Sequence, residues 1–163
     1  MTDEIVVRDA WIDESRYIME MTRLMFRDME RYGDRRTATT DESAWDGHAV
    51  RIAGELKGDN FKYLIAEAGE GKRIGLAGAR INILEGVFAA KRIIHVSIVY
   101  VLPSFRRAGV GSKLISQTLD WGRHVGGDYF DLNVVAGNPA RSLYQKFGFS
   151  DAAINMTCPI AAC

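Results

Sequence analysis

Cysteine, proline and histidine are scarce in this chain, and each shortage excludes something. There are two cysteines, three prolines and three histidines in 163 residues. Cys158 and Cys163 both lie in the tail, at a spacing that matches no zinc or redox pattern. An acyl-carrying cysteine is conceivable, but a buried or tail thiol is the expectation. With His48, His95 and His124 scattered along the chain, no metal site is expected. No proline-rich linker, repeat or low-complexity stretch divides the sequence. One domain over residues 1–163 is therefore expected, large enough to bury a core without staples.

An excess of charge is missing too. Lysine plus arginine equals aspartate plus glutamate at 21 each, so there is no bulk positive field of the kind a nucleic-acid binder carries. The most apolar run, IIHVSIVYVL, spans ten residues and contains a histidine and a serine. A membrane helix needs roughly 20 apolar residues. The opening MTDEIVV is acidic where a signal peptide would be basic and then apolar. The expectation is a soluble, cytoplasmic protein with neither a nucleic-acid nor a membrane partner.

What is present is a regular alternation of elements. Ile18, Met21, Met25, Met29 and Tyr32 recur at helical spacing and predict a helix over residues 13–32, stopped by Gly33. A weaker helical segment covers 44–56. FKYLIAEAGEGKRIGLAGARINIL places two apolar runs around a glycine turn, the pattern of a β-hairpin. A strand, IIHVSIVYV, follows. A helix then presents Leu114, Ile115, Leu119 and Gly122 on one face and ends at Gly126-Gly127. DYFDLNVV reads as a strand, and Asn138-Pro139 opens a helix carrying Leu143, Tyr144 and Phe147. A last strand is expected between Phe149 and Thr157. Strand–helix–strand crossings imply parallel pairing and the hairpin antiparallel pairing, so the expected fold is α/β (α+β by some schemes): a mixed sheet flanked by about four helices.

Within this order, VLPSFRRAGVGSKL runs from a strand end through two arginines into glycines that open a helix. Such a turn is a natural anion site, because the first helical N–H groups lack partners and glycine lets a ligand approach the backbone. A P-loop fails, since Gly111-Ser112-Lys113 is in the wrong order. A dinucleotide fold fails, since only Gly109 and Gly111 fit and the turn comes late in the chain.

Val101, Pro103, Arg106, Gly109 and Gly111 instead resemble the acyl-CoA loop of the GNAT superfamily of N-acetyltransferases, Q/R-x-x-G-x-G/A after a strand ending near V-x-P. A second stretch, NPARSLYQKFGF, resembles the family's later signature in its asparagine, tyrosine and Gly-Phe. A predicted strand separates the two, and the resemblance covers roughly residues 93–150. It implies a splayed sheet and acetyl-CoA as co-substrate. The amides of Arg107, Ala108, Gly109, Val110, Gly111 and Ser112 would then wrap the pyrophosphate, with charge from Arg106 and Arg107. Backbone groups of Val99 and Val101 would pair with the pantetheine arm, and the Val99 amide would polarise the thioester carbonyl. Asn138 would hydrogen-bond the pantetheine. Singly, the glycines could serve only a tight turn and Asn138 only a helix cap.

Transfer of an acetyl group to an amine needs a neutral amine, a stabilised oxyanion and a proton for the departing thiolate. The resemblance puts Tyr144 at the general-acid position. For the base, strand alternation predicts that His95, Ser97, Val99 and Val101 share one face. Relatives resembling arylalkylamine acetyltransferases carry histidines at His95 and two residues later. Ser97 stands at the second place here, and no strand glutamate occurs. His95, helped by Ser97 and an ordered water, is the expected base, with a merely packed histidine as the alternative. His48 and His124 are expected on the surface.

In the family, residues 13–56 would read the acceptor. A pocket lined by their methionines and acids would suit a hydrophobic or cationic amine, though core packing explains most of the apolar residues and solvated helix faces most of the acids. A small-molecule acceptor is expected ahead of a protein, and a homodimer is open. Two other classes stay open: a non-catalytic acyl-CoA sensor and a nucleotide-binding interaction domain.

Overall fold

A computed structural model describes residues 4–162. Its five strands form one sheet in chain order: β1 (Ile5–Asp9), β2 (Phe61–Ala68), β3 (Lys72–Leu84), β4 (Lys91–Val101) and β5 (Tyr129–Leu132). The first four pair antiparallel, and β4 pairs β5 in parallel, as the hairpin and the helical crossover require. The helices are α1 (Ser15–Arg31), α2 (Glu42–Glu55), α3 (Val110–His124) and α4 (Ala140–Lys146). This is the mixed, helix-flanked sheet expected from the sequence. Among the described residues, no helix is long and apolar enough to cross a membrane.

Two apolar layers sandwich the sheet. On one face, Ile18, Met19 and Met21 of α1 and Trp45, Ala49 and Ile52 of α2 pack on Ile65, Leu76, Ile98 and Tyr100. On the other, Val110 and Leu114 of α3 pack on Leu64, Ala66, Ile74 and Ala77. Alternation along each strand feeds both layers, and burial of this apolar area drives the assembly. Gly33, at φ +93°, closes α1, and the Asp41 side chain caps α2 by accepting from Ser43 N–H at 2.9 Å.

Three features depart from the sequence reading. The N-terminal segment supplies an edge strand, β1, tied to α1 and β2 through Arg8, which pairs with Glu14 at 2.8 Å and Glu67 at 2.6 Å. The strand in DYFDLNVV stops at Leu132. The strand expected between Phe149 and Thr157 does not form, and Ile154 and Met156 stay exposed. A strand exists only by pairing, and the four-residue β5 offers that segment no continuing ladder. Cys158 lies in this exposed tail and is not a free thiol, which corrects the expectation there; Cys163 falls outside the described residues.

Candidate active site

β4 and β5 pair from Ile93–Tyr129 to Val96–Leu132 and then part, while β4 runs on to Val101. Beyond Leu132 the chain leans towards α1, so closely that a Cβ on Gly137 would lie 3.0 Å from the Tyr32 carbonyl oxygen. The divergence opens a cleft of about 620 Å³. Its walls are the free edge of β4, the segments 132–135 and 138–144, the second half of α1, and the turn leading into α3.

The turn has the character its glycines suggest. Gly109 is left-handed at φ +81° and stands at the N-cap of α3, where no side chain caps the helix. The first intrahelical bond there is Lys113 N–H to the Gly109 carbonyl, at 3.1 Å. The N–H groups of Val110, Gly111 and Ser112 thus lie at the positive end of the helix dipole, on the cleft wall. Arg107 lines the cleft and is itself left-handed at φ +69°, a conformation that non-glycine residues rarely adopt. Ala108 is exposed and is not among the lining residues. Asn138 lines the cleft and also caps α4, its Oδ1 accepting from Ala140 N–H at 2.9 Å.

Arg106 lines the cleft and also has protein partners of its own. Its guanidinium donates to Asp28 Oδ2 of α1 at 2.6 Å and its Nε to the Val101 carbonyl at 2.9 Å. The same Asp28 oxygen accepts from the Tyr100 hydroxyl at 3.1 Å. Burial, reinforced by Asp28, pushes the Tyr100 phenol up to about 12. Arg106 therefore fastens the loop to α1, and the Val101 carbonyl expected to be free is occupied.

A second correction concerns the faces of β4. The ladder with β3 passes from Gly78–Ile98 to Ala79–Val96, leaving Ser97 as the extra residue of a bulge. Its hydroxyl donates to the Gly78 carbonyl at 3.1 Å. A bulge reverses the alternation. Ile94 contacts the α3 layer near Gly122, Val99 and Val101 pack on that same side, and Ile98 and Tyr100 face α1. His95 thus points to the α1 side of the sheet, opposite Val99 and Val101. Both His95 and Ser97 still line the cleft.

On the far wall, Tyr144 of α4 faces the cleft, its ring edge-on to Phe149 at 5.9 Å. Burial pushes its phenol up to about 12, so it holds its proton throughout the neutral range. His95 Nδ1 lies 2.9 Å from Asp131 Oδ1, within hydrogen-bond distance. The sequence reading passed over Asp131, whose only signal was its polar phase in DYFDLNVV. His124 is exposed and His48 half-buried beside Trp45, neither of them at the cleft. Met25, Phe26 and Met29 of α1 and Tyr32 at its C-terminal end line the cleft, whereas Met21 is in the core. No cluster of three or more metal-ligating side chains occurs among the described residues.

Known proteins share this architecture. An aminoglycoside N-acetyltransferase, AAC(6')-Iy, in complex with CoA superposes with a TM-score of 0.74 at 20% identity, covering 98% of this chain and 96% of that one. A predicted acetyltransferase with acetyl-CoA from Clostridium acetobutylicum gives 0.79 at 14% identity, over 97% of each chain. Glucosamine-6-phosphate N-acetyltransferase from Arabidopsis thaliana gives 0.69 at 19% identity, over 97% and 99%. No curated protein sequence matches the chain. At these identities the structures speak for the fold, but the family model described as Acetyltransferase (GNAT) family matches residues 18–149. That span includes every wall of the cleft, and by it the chain belongs to the GNAT acetyltransferases.

Proposed function

We propose that the protein is an N-acetyltransferase that moves an acetyl group from acetyl-CoA directly to a primary amine in a ternary complex. One observation carries the reading: β4 and β5 part after Val96–Leu132, and the uncapped N-terminus of α3 stands on the wall of the cleft so formed. The residues present fit the co-substrate. Amides of Val110, Gly111 and Ser112 suit its phosphates, Arg107 adds charge, and the unpaired edge of β4 suits an extended amide-bearing arm. The cleft is within the roughly 300–1,000 Å³ typical of small-molecule sites.

Acetyl-CoA supplies the acetyl group already activated as a thioester. The Val99 amide is assigned to hold the carbonyl oxygen, and Asn138 to hold the arm from the opposite wall. Tyr144, kept neutral by burial, is assigned to protonate the departing sulfur. Since a thiol titrates at about 8.5, that proton assists the departure rather than dominating it. His95 is assigned to take the amine proton. Ser97, at the bulge, gives its hydroxyl proton to the Gly78 carbonyl and so keeps only acceptor lone pairs with which to help His95. Met25, Phe26, Met29 and Tyr32 favour an acceptor amine with an apolar portion. Asp28 is not a free anion for that amine, being paired with Arg106.

Thermal melts with acetyl-CoA, with ADP as control, test the reading. At about 100 times Kd, linkage predicts roughly 2.7 kcal/mol of stabilisation. For a chain of this size that is a rise of roughly 5–10 °C. A larger shift with acetyl-CoA than with ADP, followed by thiol release on an amine panel, is the expected result. A shift without release on any amine favours a sensor. An equal shift with ADP favours a nucleotide-binding domain, and no shift overturns the proposal.

A further inference from the structure

We infer that Asp131 is a positioning residue for His95, fixing the imidazole in the tautomer that leaves Nε2 free to accept the amine proton. The inference rests on the transferase reading above and assigns a role to a residue outside the family signatures quoted from the sequence. It begins with register. His95 on β4 lies opposite Asp131 on β5 in the parallel ladder and opposite Arg80 on β3 in the antiparallel one. Residues opposite one another share a face. The three side chains therefore form one polar row across three strands, on the α1 side of the sheet.

The row sits at the fork. His95–Asp131 is the last rung but one before β4 and β5 separate. The His95 side chain is 14% exposed and Asp131 49% exposed, so the imidazole is enclosed while the carboxylate reaches water. An ionised carboxylate only accepts hydrogen bonds. At 2.9 Å from Asp131 Oδ1, Nδ1 must therefore carry the hydrogen, and in the neutral ring the lone pair falls to Nε2. Arg80 stands opposite His95 on β3. The other charged groups on the cleft wall are Asp28, Arg36, Arg106, Arg107 and Lys146, with Asp28 already paired to Arg106.

The proton balance is complete. As the amine nitrogen bonds to the acetyl carbon, its proton passes to Nε2, the carbon–sulfur bond breaks, and sulfur takes the Tyr144 proton. His95 returns its proton to solvent and Tyr144 recovers one. Asp131 neither gains nor loses a proton; it holds the ring. The bulge at Ser97 is what makes this possible, because without it His95 would face α3.

The test compares wild type, Asp131→Asn and Asp131→Glu, with His95→Gln to assign the ring signals. In wild type, side-chain ¹⁵N NMR should show His95 protonated at Nδ1 with Nε2 unprotonated near neutral pH. Asp131→Asn should populate the other tautomer and lower kcat by roughly 10–100-fold, with the KM for acetyl-CoA and its thermal shift unchanged. Asp131→Glu should recover part of the loss. An unchanged kcat in Asp131→Asn overturns the proposal, as does a wild-type ring protonated only at Nε2. A wild type that binds acetyl-CoA but acetylates nothing overturns the transferase reading separately, and the ¹⁵N pattern still decides whether Asp131 orients the ring.

Discussion

The two edges of β4 are built differently. Towards β3 it is paired along its whole length, from Leu84–Lys91 to Gly75–Val101, with a single bulge. Gly78 lets the facing side chains close in, since a Cβ there would lie 2.7 Å from Ile98 Cγ2 and 2.9 Å from Tyr63 Cε1. Towards β5 the pairing spans only Ile93 to Val96. At its base the fork is tightly packed, because Gly122 of α3 admits the Phe130 ring and Ile94 where a Cβ would lie 2.2 Å from Phe130 Cε1. Above that point backbone groups that a sheet would satisfy are left to the cleft. The closed edge is satisfied by β3 and the open edge lines the cleft, and one strand has both because its two neighbours differ in length.

Breaking the open side alone gives the largest expected effect. Tyr144→Phe keeps the packing on Phe149 and should lower turnover by roughly 10²–10⁴-fold with an unchanged melting temperature. Steady-state kinetics with a working amine checks this, and unchanged turnover removes Tyr144 from the mechanism. Breaking the base of the fork should reverse the pattern. Gly122→Val forces branched methyls against Phe130 and should cost roughly 1–3 kcal/mol, seen as a lower denaturation midpoint. If acetyl-CoA affinity survives in that variant, the base of the fork is structural and the cleft is formed above it.

The smallest effect sharpens the contrast within the loop. Arg107→Gly relieves a left-handed non-glycine residue, worth about 1–2 kcal/mol, against about 0.5–1 kcal/mol of added chain freedom. The melting temperature should therefore stay within about 2 °C, or rise slightly. Loss of the charge should weaken acetyl-CoA about 2–5-fold by calorimetry, the scale of one exposed ionic contact. An unaltered Kd would leave Arg107 as a turn residue only.

Much of the architecture was legible in the residues. The helical spacing from Ile18 to Tyr32, the glycine turn of the hairpin and the Asn138-Pro139 start each gave a local signal strong enough to place an element. The glycine turn before α3 was legible as a left-handed, uncapped helix start because its signal lies in backbone freedom. β1 was missed because its five residues, IVVRD, are too short for a periodic pattern. The strand expected after Phe149 does not form because propensity describes a segment, whereas a strand requires a neighbour. The ion pair of Arg106 was not legible for a related reason: its sequence neighbours are the loop, but its partner Asp28 lies on α1.

By itself the sequence determined the alternation of elements, the bare turn at the start of α3 and the identity of the residues that could handle protons, since these depend on local periodicity, backbone freedom and side-chain chemistry. Only the tertiary structure decided which way those residues point and what they meet. Ser97 becomes a bulge because β3 and β4 match residue for residue on either side of it, and that one extra residue turns His95 to the α1 face. Asp131 meets His95 through a parallel register that arises after α3 has carried the chain across the sheet. Contacts of that kind depend on where distant segments are brought to rest, and no local pattern encodes them.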